Sequence, residues 1–575
     1  MVNVKNLFGM AVMATALVGC SSNDNLAPDG KDNVGKAGEA YVSFRINLPT
    51  TTGTGTRGEG DPAPTPGTPS FAEGTAAEYE VKNGTILIFD ANTDKFVTSA
   101  KLGTMNPWTA DKDDNGVTTA ASVTVQLSGV ELNGNYKALV LLNNNSETTP
   151  KVKLPTSTTT DTYTTWSANA DNVTPAEYVK TDGIFMANAP MYQGTKNEPT
   201  TLVKINKVYA SREQAQANPA TVVYVERGLA KVTMEDFATD YTIADGNTYA
   251  GDKVEIKNWQ LDVTNKSTFP VHQIGGLSST TTGFADIWST PRFYDGDNKT
   301  FKRVYWGVDP NYSGATLQNL EACKNAFTMI GKNDIKGETG NDHPQYCLEN
   351  TFDLANMMQG QTTRVVFKAV YTPKGFTGTE KTFYKVANNT AIWHEADLKQ
   401  QILTLAINAM KITDPDEQAM YSVDLTKGSN ISGVAGQHLI TADNIKFDPG
   451  ESTKTSKVKA DVVNEVNAKL GLSATTGIST YLNGEAYYIA RIKHFNELTP
   501  WTPGKAYGTD NEKYLGRYGV LRNNWYELSV KSISNLGYPE VPEVKPETPD
   551  DENDQYINVE VKILDWAKRS QQVEL

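Results

Sequence analysis

The sequence predicts a mainly antiparallel β protein built as two or three domains. The chain has 575 residues, too long for one domain. Charged residues are only 21% of it, while glycine, threonine and asparagine are plentiful. Short runs of β-branched and aromatic residues alternate with polar ones between turn residues, the pattern of half-buried strands. A hydrophobic content of 38% suffices for ordinary cores. The net charge of −14 argues against a nucleic-acid surface, which needs clustered basic residues.

The chain opens on an export signal, residues 1–20. Lys5 gives a weakly positive start, and Leu7 to Val18 form an apolar core too short to span a membrane comfortably. It ends in "LVGC", a lipobox that places Cys20 for attachment of a diacylglycerol and predicts a lipoprotein precursor held to a membrane leaflet. No other segment approaches a transmembrane run.

Ser21 to Ala40 is polar and predicted to be flexible, and "YVSFRINLPT" then reads as a strand. Val42, Phe44, Ile46 and Leu48 share one face; Tyr41, Ser43, Arg45 and Asn47 share the other. Thr50 to Ser70, rich in glycine, proline and threonine, is disordered or extended by composition and carries Arg57, open to a trypsin-like protease. Folded sequence resumes at "GTILIFD", Gly84 to Asp90. "ASVTVQLSGV" and "NYKALVLLN" are two further strands around the turn signal "ELNGN". "TVVYVERGLAKVTM", Thr221 to Met234, reads as a strand pair closing the first domain. The second domain begins near "KVEIKNWQLDVTNKSTFPV" and includes "RVYWGVDPNY", "TTRVVFKAVY", "AYYIARIKHF" and "NNWYELSVKSI", most of which alternate or carry β-branched and aromatic residues. Two short helices are predicted, at "LQNLEACKNAF" and "KADVVNEVNAKL". There is no solenoid-type repeat.

The end of the chain repeats the design of its beginning. Pro539 to Gln555, rich in proline and acid, should stay extended rather than pack, with a reach of roughly 50 Å. Beyond it Ile557, Val559, Val561 and Ile563 share one face, opposed by Asn558, Glu560 and Lys562. Two such strands on tethers suggest one mechanism. The first strand fills a groove in its own domain; a cut at Arg57 releases it; the terminal strand of another subunit then fills the groove by β-augmentation. Burying four large apolar side chains is worth roughly 6–10 kcal/mol before entropy costs. The contact is head-to-tail, so it builds a filament. The alternative is that each strand is an ordinary member of its own sheet, with Arg57 merely exposed.

"VYVERGLAKV", "NWQLDVTNKSTFPV", "RVYWGVDPNY", "YCLENTF", "TTRVVFKAVY", "RNNWYELSVKSISNLGYP" and the terminal "INVEVKILDW" resemble the fimbrilins of Bacteroidales type V pili. The likeness is closest to the major shaft subunit of the short (minor) fimbriae. It runs from the lipobox to Leu575 and is looser in the first domain. The resemblance implies two β-sandwich-like (transthyretin-like) domains with a few short helices, a detachable N-terminal strand and an extended C-terminal tail. Carried onto this chain, it gives residues 1–20 as lipoprotein signal peptide and 21–57 as propeptide. Residues 58–235 and 236–538 become the two β domains, and 539–575 the linker and donor strand. Arg57 would be cut by an Arg-specific surface protease, and Val42, Phe44, Ile46 and Leu48 would belong to the displaced strand. Ile557, Val559, Val561, Ile563 and Trp566 would belong to the donor. Arg45 is a competing cleavage site, but lies inside the proposed strand and should be protected. Implied partners are other copies of the chain, accessory tip and anchor subunits, the outer membrane through the lipid before cleavage, and host or bacterial surfaces. The implied roles are adhesion, co-aggregation and biofilm formation on a cell-surface fimbria.

No catalytic or cofactor signature stands beside this reading: no P-loop, G-x-S-x-G, H-E-x-x-H or C-x-x-C. His272, His343, His394, His438 and His494 are scattered and read as structural or surface residues. Cys323 and Cys347 are either a disulfide, worth roughly 3 kcal/mol, or two buried thiols; a metal site lacks the ligand spacing. Asp111, Asp113 and Asn115 imitate the start of a calcium loop, but Ser122 stands at its twelfth position where a glutamate is needed, so a polar turn is the better reading. The rival function is a cell-surface glycan-binding lipoprotein using Trp108, Trp166, Trp393 and Trp501 as a platform. Such a protein would keep its lipidated N-terminus and would have no use for a detachable C-terminal strand.

Overall fold

A computed structural model describes residues 39–49, 75–103, 109–110, 117–144, 149–192, 199–275, 304, 306–312, 317, 319–353, 356–376, 379–494, 516–550 and 557–565. Strand dominates, with a few short helices. In the first half, strands β1 (Ala40–Pro49), β2 (Gly84–Asp90), β3 (Phe96–Lys101), β4 (Thr109–Ala110), β5 (Val117–Leu127), β6 (Tyr136–Leu142) and β7 (Met186–Asn188) are followed by a small pair, β8 (Met191–Tyr192) and β9 (Pro199–Thr200). β10 (Val203–Lys204) and β11 (Thr221–Arg227) complete this half. Helices α1 (Ala76–Tyr79), α2 (Tyr163–Ser167), α3 (Pro175–Tyr178) and α4 (Arg212–Ala217) are interspersed. Nine strands form one sheet in the order β3-β2-β6-β7-β11-β1-β5-β4, with β10 beside β6. The sheet folds back on itself, so that Val42, Phe44 and Ile46 of β1 share a core with Ile86 and Ile88 of β2 and Val140 of β6. The alternate residues of β2 and β6, Leu87, Phe89, Leu139 and Leu141, face a second core against Trp166, Tyr178 and Phe185.

The "ELNGN" turn does not close a hairpin. β5 pairs with β1 and β4, whereas β6 pairs with β2, β7 and β10. Thr221 to Met234 is likewise no strand pair. β11 stays in the first sheet, and the chain crosses at Gly228 into β12 (Leu229–Met234) of a different sheet. Only glycine fits at the crossing, because a Cβ there would run into the Tyr178 hydroxyl.

The second half adds β13 (Tyr241–Thr242), β14 (Lys253–Asp262), β15 (Thr264–Asn265), β16 (Phe327–Thr328), β17 (Gln345–Leu348) and β18 (Arg364–Thr372), with α5 (Leu320–Ala326). A lobe follows: β19 (Phe383–Val386), β20 (Ile392–Trp393), α6 (Glu395–Ala409), α7 (Pro415–Gln418), β21 (Tyr421–Val423), β22 (Ser429–Asn430), β23 (Gln437–Leu439), β24 (Ile445–Phe447), α8 (Ala460–Lys469) and β25 (Ile478–Tyr481). β26 (Glu485–Arg491), β27 (Asn524–Ile533) and β28 (Ile557–Asp565) end the described chain. Sheet β17-β12-β27-β28 faces sheet β13-β14-β18-β26. Val232, Tyr526 and Leu528 meet Trp259, Phe367 and Tyr488 in the core between them, a β-sandwich arrangement. The lobe interrupts the adjacent strands β18 and β26 and has its own core, where α6 and α8 cover β19 and β25.

Both predicted helices are present, as α5 and α8. The longest helix among the described residues, α6, is one the sequence reading missed, although Leu398, Ile402 and Ala406 lie four apart on its buried face. "RVYWGVDPNY" is not a strand: the described part, Val304 and 306–312, ends in a single 3-10 turn at Pro310–Tyr312 with Trp306 buried. The proline-rich linker carries no helix or strand over Pro539–Asp550, as an extended segment would, but it packs. Val544 and Asp550 are buried, Pro549 bridges Met358, and Thr362 donates to Asp550. A few inward residues, with Pro539 buried beside Val544 and Asp550, lay such a segment on the protein despite its composition. Cys323 and Cys347 are free, buried thiols. Among the described residues no helix is long and apolar enough to cross a membrane.

Candidate functional site

β1 is the first described strand of the chain, yet it lies inside its sheet rather than at an edge. One side pairs antiparallel with β5, from Ala40 opposite Leu127 to Leu48 opposite Thr119. The other pairs parallel with β11, Phe44 opposite Thr221 and Asn47 opposite Tyr224. A strand with two partners contributes two hydrogen-bond ladders. Its removal would leave β5 and β11 as two facing edges. The alternation predicted from the sequence is borne out: Val42, Phe44, Ile46 and Leu48 are at most 1% exposed and point into the core.

The opposite face of β1 is held by α4. Ser43 Oγ donates to the Ala215 carbonyl at 2.8 Å and shares a hydrogen bond with Thr124 Oγ1 at 2.8 Å. Tyr41 and Tyr209 exchange backbone hydrogen bonds of 2.8 and 2.9 Å. Arg45 is half-buried, with Ser122 on one side and Val222 on the other, so its peptide bond is not presented in free extended form.

β28 is placed differently. It is the edge strand of its sheet and pairs antiparallel with β27, Trp525 opposite Leu564, Leu528 opposite Val561 and Val530 opposite Val559. A register shift falls between Val530 and Ser532, which weakens the ladder near its start. Val559 is 9% exposed and joins the sandwich core. β1 is therefore an inner strand and β28 an outer one.

Other predicted positions scatter. Cys20, Arg57, Asp111, Asp113, Asn115, Trp108, Trp501 and Trp566 lie outside the described residues. Trp166 is buried, its Nε1 donating to the Lys153 carbonyl at 2.8 Å, and Trp393 is half-buried on β20. Those two belong to separate cores and do not form a common platform. His272 is buried against Glu226 at 2.7 Å, His494 against Tyr526 at 2.7 Å, and His394 stacks on Phe376. Among the described residues no three His, Cys, Asp or Glu side chains are placed to hold a metal ion.

The sequence reading missed a buried polar seam at the Gly228 crossing. Glu78 of α1 receives Lys231 of β12 at 2.6 Å and the Tyr346 hydroxyl at 2.7 Å, all within the protein. The Lys231 ammonium also lies over the Trp525 ring, 3.7 Å from its centroid. Burial lowers the Lys231 pKa, and the Glu78 carboxylate opposes that shift. Arg227 donates to the Glu78 carbonyl at 2.8 Å, and its own backbone N–H donates to Asn523. Arg522 pairs with Glu349 close by, also buried. The one sequence signal was Lys231 itself, an isolated cation within a strand whose other residues, from Leu229 to Met234, are all suited to burial.

Residues 479–572, which run from β25 through β28, match the family described as Fimbrillin_C, "Major fimbrial subunit protein type IV, Fimbrillin, C-terminal". No curated protein matches the chain. Among solved structures, it is similar to a candidate cell adhesion protein from Parabacteroides distasonis, with 11% identity, a TM-score of 0.36, and coverage of 92% of this chain and 99% of that one. A fimbrial assembly protein from the same species shows 10% identity, a TM-score of 0.25 and coverage of 61% and 93%. The tip fimbrial protein Mfa3 from Porphyromonas gingivalis, with a C-terminal truncation, shows 10% identity, a TM-score of 0.23 and coverage of 92% and 100%.

Proposed function

We propose that this chain is the repeating shaft subunit of a surface fimbria, closest in kind to the major subunit of short fimbriae. It is made as a precursor lipidated on Cys20 and exported through the periplasm to the outer membrane. An Arg-specific surface protease cuts after Arg57, β1 leaves, and β28 of another copy takes its place between β5 and β11. The observation that carries this reading is the position of β1. It is paired on both sides and buried in the core, yet it precedes the segment that holds Arg57. The match of residues 479–572 to the fimbrillin C-terminal family supports the same reading.

The incoming strand keeps both ladders if it lies parallel to β11 and antiparallel to β5, as β1 does. A strand given by one copy and taken by the next makes a head-to-tail contact that does not close, hence a filament. An edge strand suits the donor role, because withdrawing it breaks one ladder rather than two. In this reading the chain is structural and not an enzyme. Its partners are further copies, tip and anchor subunits, and the surfaces to which a fimbria adheres in biofilm formation.

Deleting Tyr556–Leu575 tests the donor role. The truncated protein should fold and be exported but form no fibres after cleavage. Fibres from the truncated chain would rule β28 out as donor.

A further inference from the structure

We propose that Phe44 bars premature exchange: it holds the groove against β28 strands of other copies until the N-terminal segment is cut. The proposal rests on the strand-exchange reading above. Phe44 is fully buried, one of the largest side chains in the protein without solvent contact. It sits near the middle of β1, between Val123 of β5 and Thr221 of β11. The groove therefore contains a pocket shaped to a phenyl ring.

β28 has no residue to fill that pocket. Side chains alternate along a strand, so a donor presents either its odd-numbered or its even-numbered residues to the groove. The odd set is Ile557, Val559, Val561, Ile563 and the terminal Asp565; the first four are aliphatic and none of the five is aromatic. The even set would drive Asn558, Glu560 and Lys562 into the core, which excludes it. Trp566 has the parity of this excluded set, so it cannot reach the Phe44 position in either direction of insertion. The remaining positions are well matched, since Val42, Ile46 and Leu48 would exchange with valine or isoleucine. The misfit is confined to one pocket.

The consequence is an ordered competition. Before cleavage, β1 has the better fit and is also tethered, which gives it a high effective concentration. A free β28 loses on both counts. Cleavage removes the tether, and β1 can then dissociate and dilute away. The less well-fitting strand prevails only after the cut. Leaving a phenyl-sized pocket half-filled should weaken binding by about tenfold or more.

The test uses the full-length uncut precursor and a fluorescent peptide with the sequence of Ile557–Asp565. Wild-type precursor should take up little peptide, and Phe44→Val precursor should take it up at least about tenfold faster. Leu48→Val, which also shortens a buried side chain of β1, is the control and should change uptake far less. A second arm needs no change in the precursor: peptides carrying Val559→Phe or Val561→Phe are offered to cleaved wild-type protein. One of them should bind at least about tenfold tighter than the native peptide. Equal uptake by Phe44→Val and Leu48→Val, or no gain from either phenylalanine peptide, would overturn the proposal. If cleaved wild-type protein binds none of the peptides, strand exchange by β28 itself fails, and the Phe44 proposal with it.

Discussion

Lys231 and Glu78 form an ion pair of 2.6 Å inside the protein, joining the short helix that follows the N-terminal segment to the strand beyond the Gly228 crossing. Each would be costly to bury alone. Removing one partner strands the other charge, so Lys231→Met should destabilise the protein by about 3–5 kcal/mol. The double replacement Lys231→Met with Glu78→Leu should recover much of that loss. Urea unfolding of the two variants checks both expectations, and equal losses would mean the pair is not coupled.

Gly228 is the point where one backbone run, β11 to β12, passes between sheets. Gly228→Ala places a methyl group against the Tyr178 ring and hydroxyl. The strain should cost about 1–3 kcal/mol. Because the hydroxyl is the nearest atom, Tyr178→Phe in the same chain should restore part of the stability. Thermal unfolding of the single and double variants decides it.

Asp309 gives the second half of the chain a pH dependence. Its carboxyl is pushed up to about 7 by burial, against the pull of hydrogen bonds from Asn311 and Thr351. A folded pKa above the unfolded one means stability that is complete below about pH 4 and lost as the pH rises through 7. The loss could reach roughly 4 kcal/mol. Urea midpoints taken between pH 4 and 8 should fall for the wild type. Asp309→Asn should flatten that slope, whatever its stability at any single pH.

Much of this was legible in the sequence, because alternation reports burial directly. Val42, Phe44, Ile46 and Leu48 lie on one buried face of a strand, as the spacing required, and "GTILIFD" is a strand to the residue. Pairing was less legible. Nothing local says that Ile46 lies between Ala121 and Val223, since those contacts close long stretches of chain. "GLAKVTM" looked like the return strand of a hairpin because its partners, Tyr346 and Trp525, are remote. The linker misled by composition, which reports average burial and misses the individual inward residues, Val544 and Asp550 among them, that anchor it. The pairing of Lys231 with Glu78 was not legible, because a lone cation in a strand suited to burial signals a partner without saying which distant carboxylate supplies it.

The most direct measurement is limited digestion of the purified precursor with an Arg-specific protease, followed by N-terminal sequencing and electron microscopy. A cut after Arg57, with Arg45 spared, followed by release of the segment containing Tyr41–Leu48 and growth of filaments, is the predicted result. Filaments from protein that retains β1, or cleavage with release of β1 and no filaments, would contradict strand exchange at this groove.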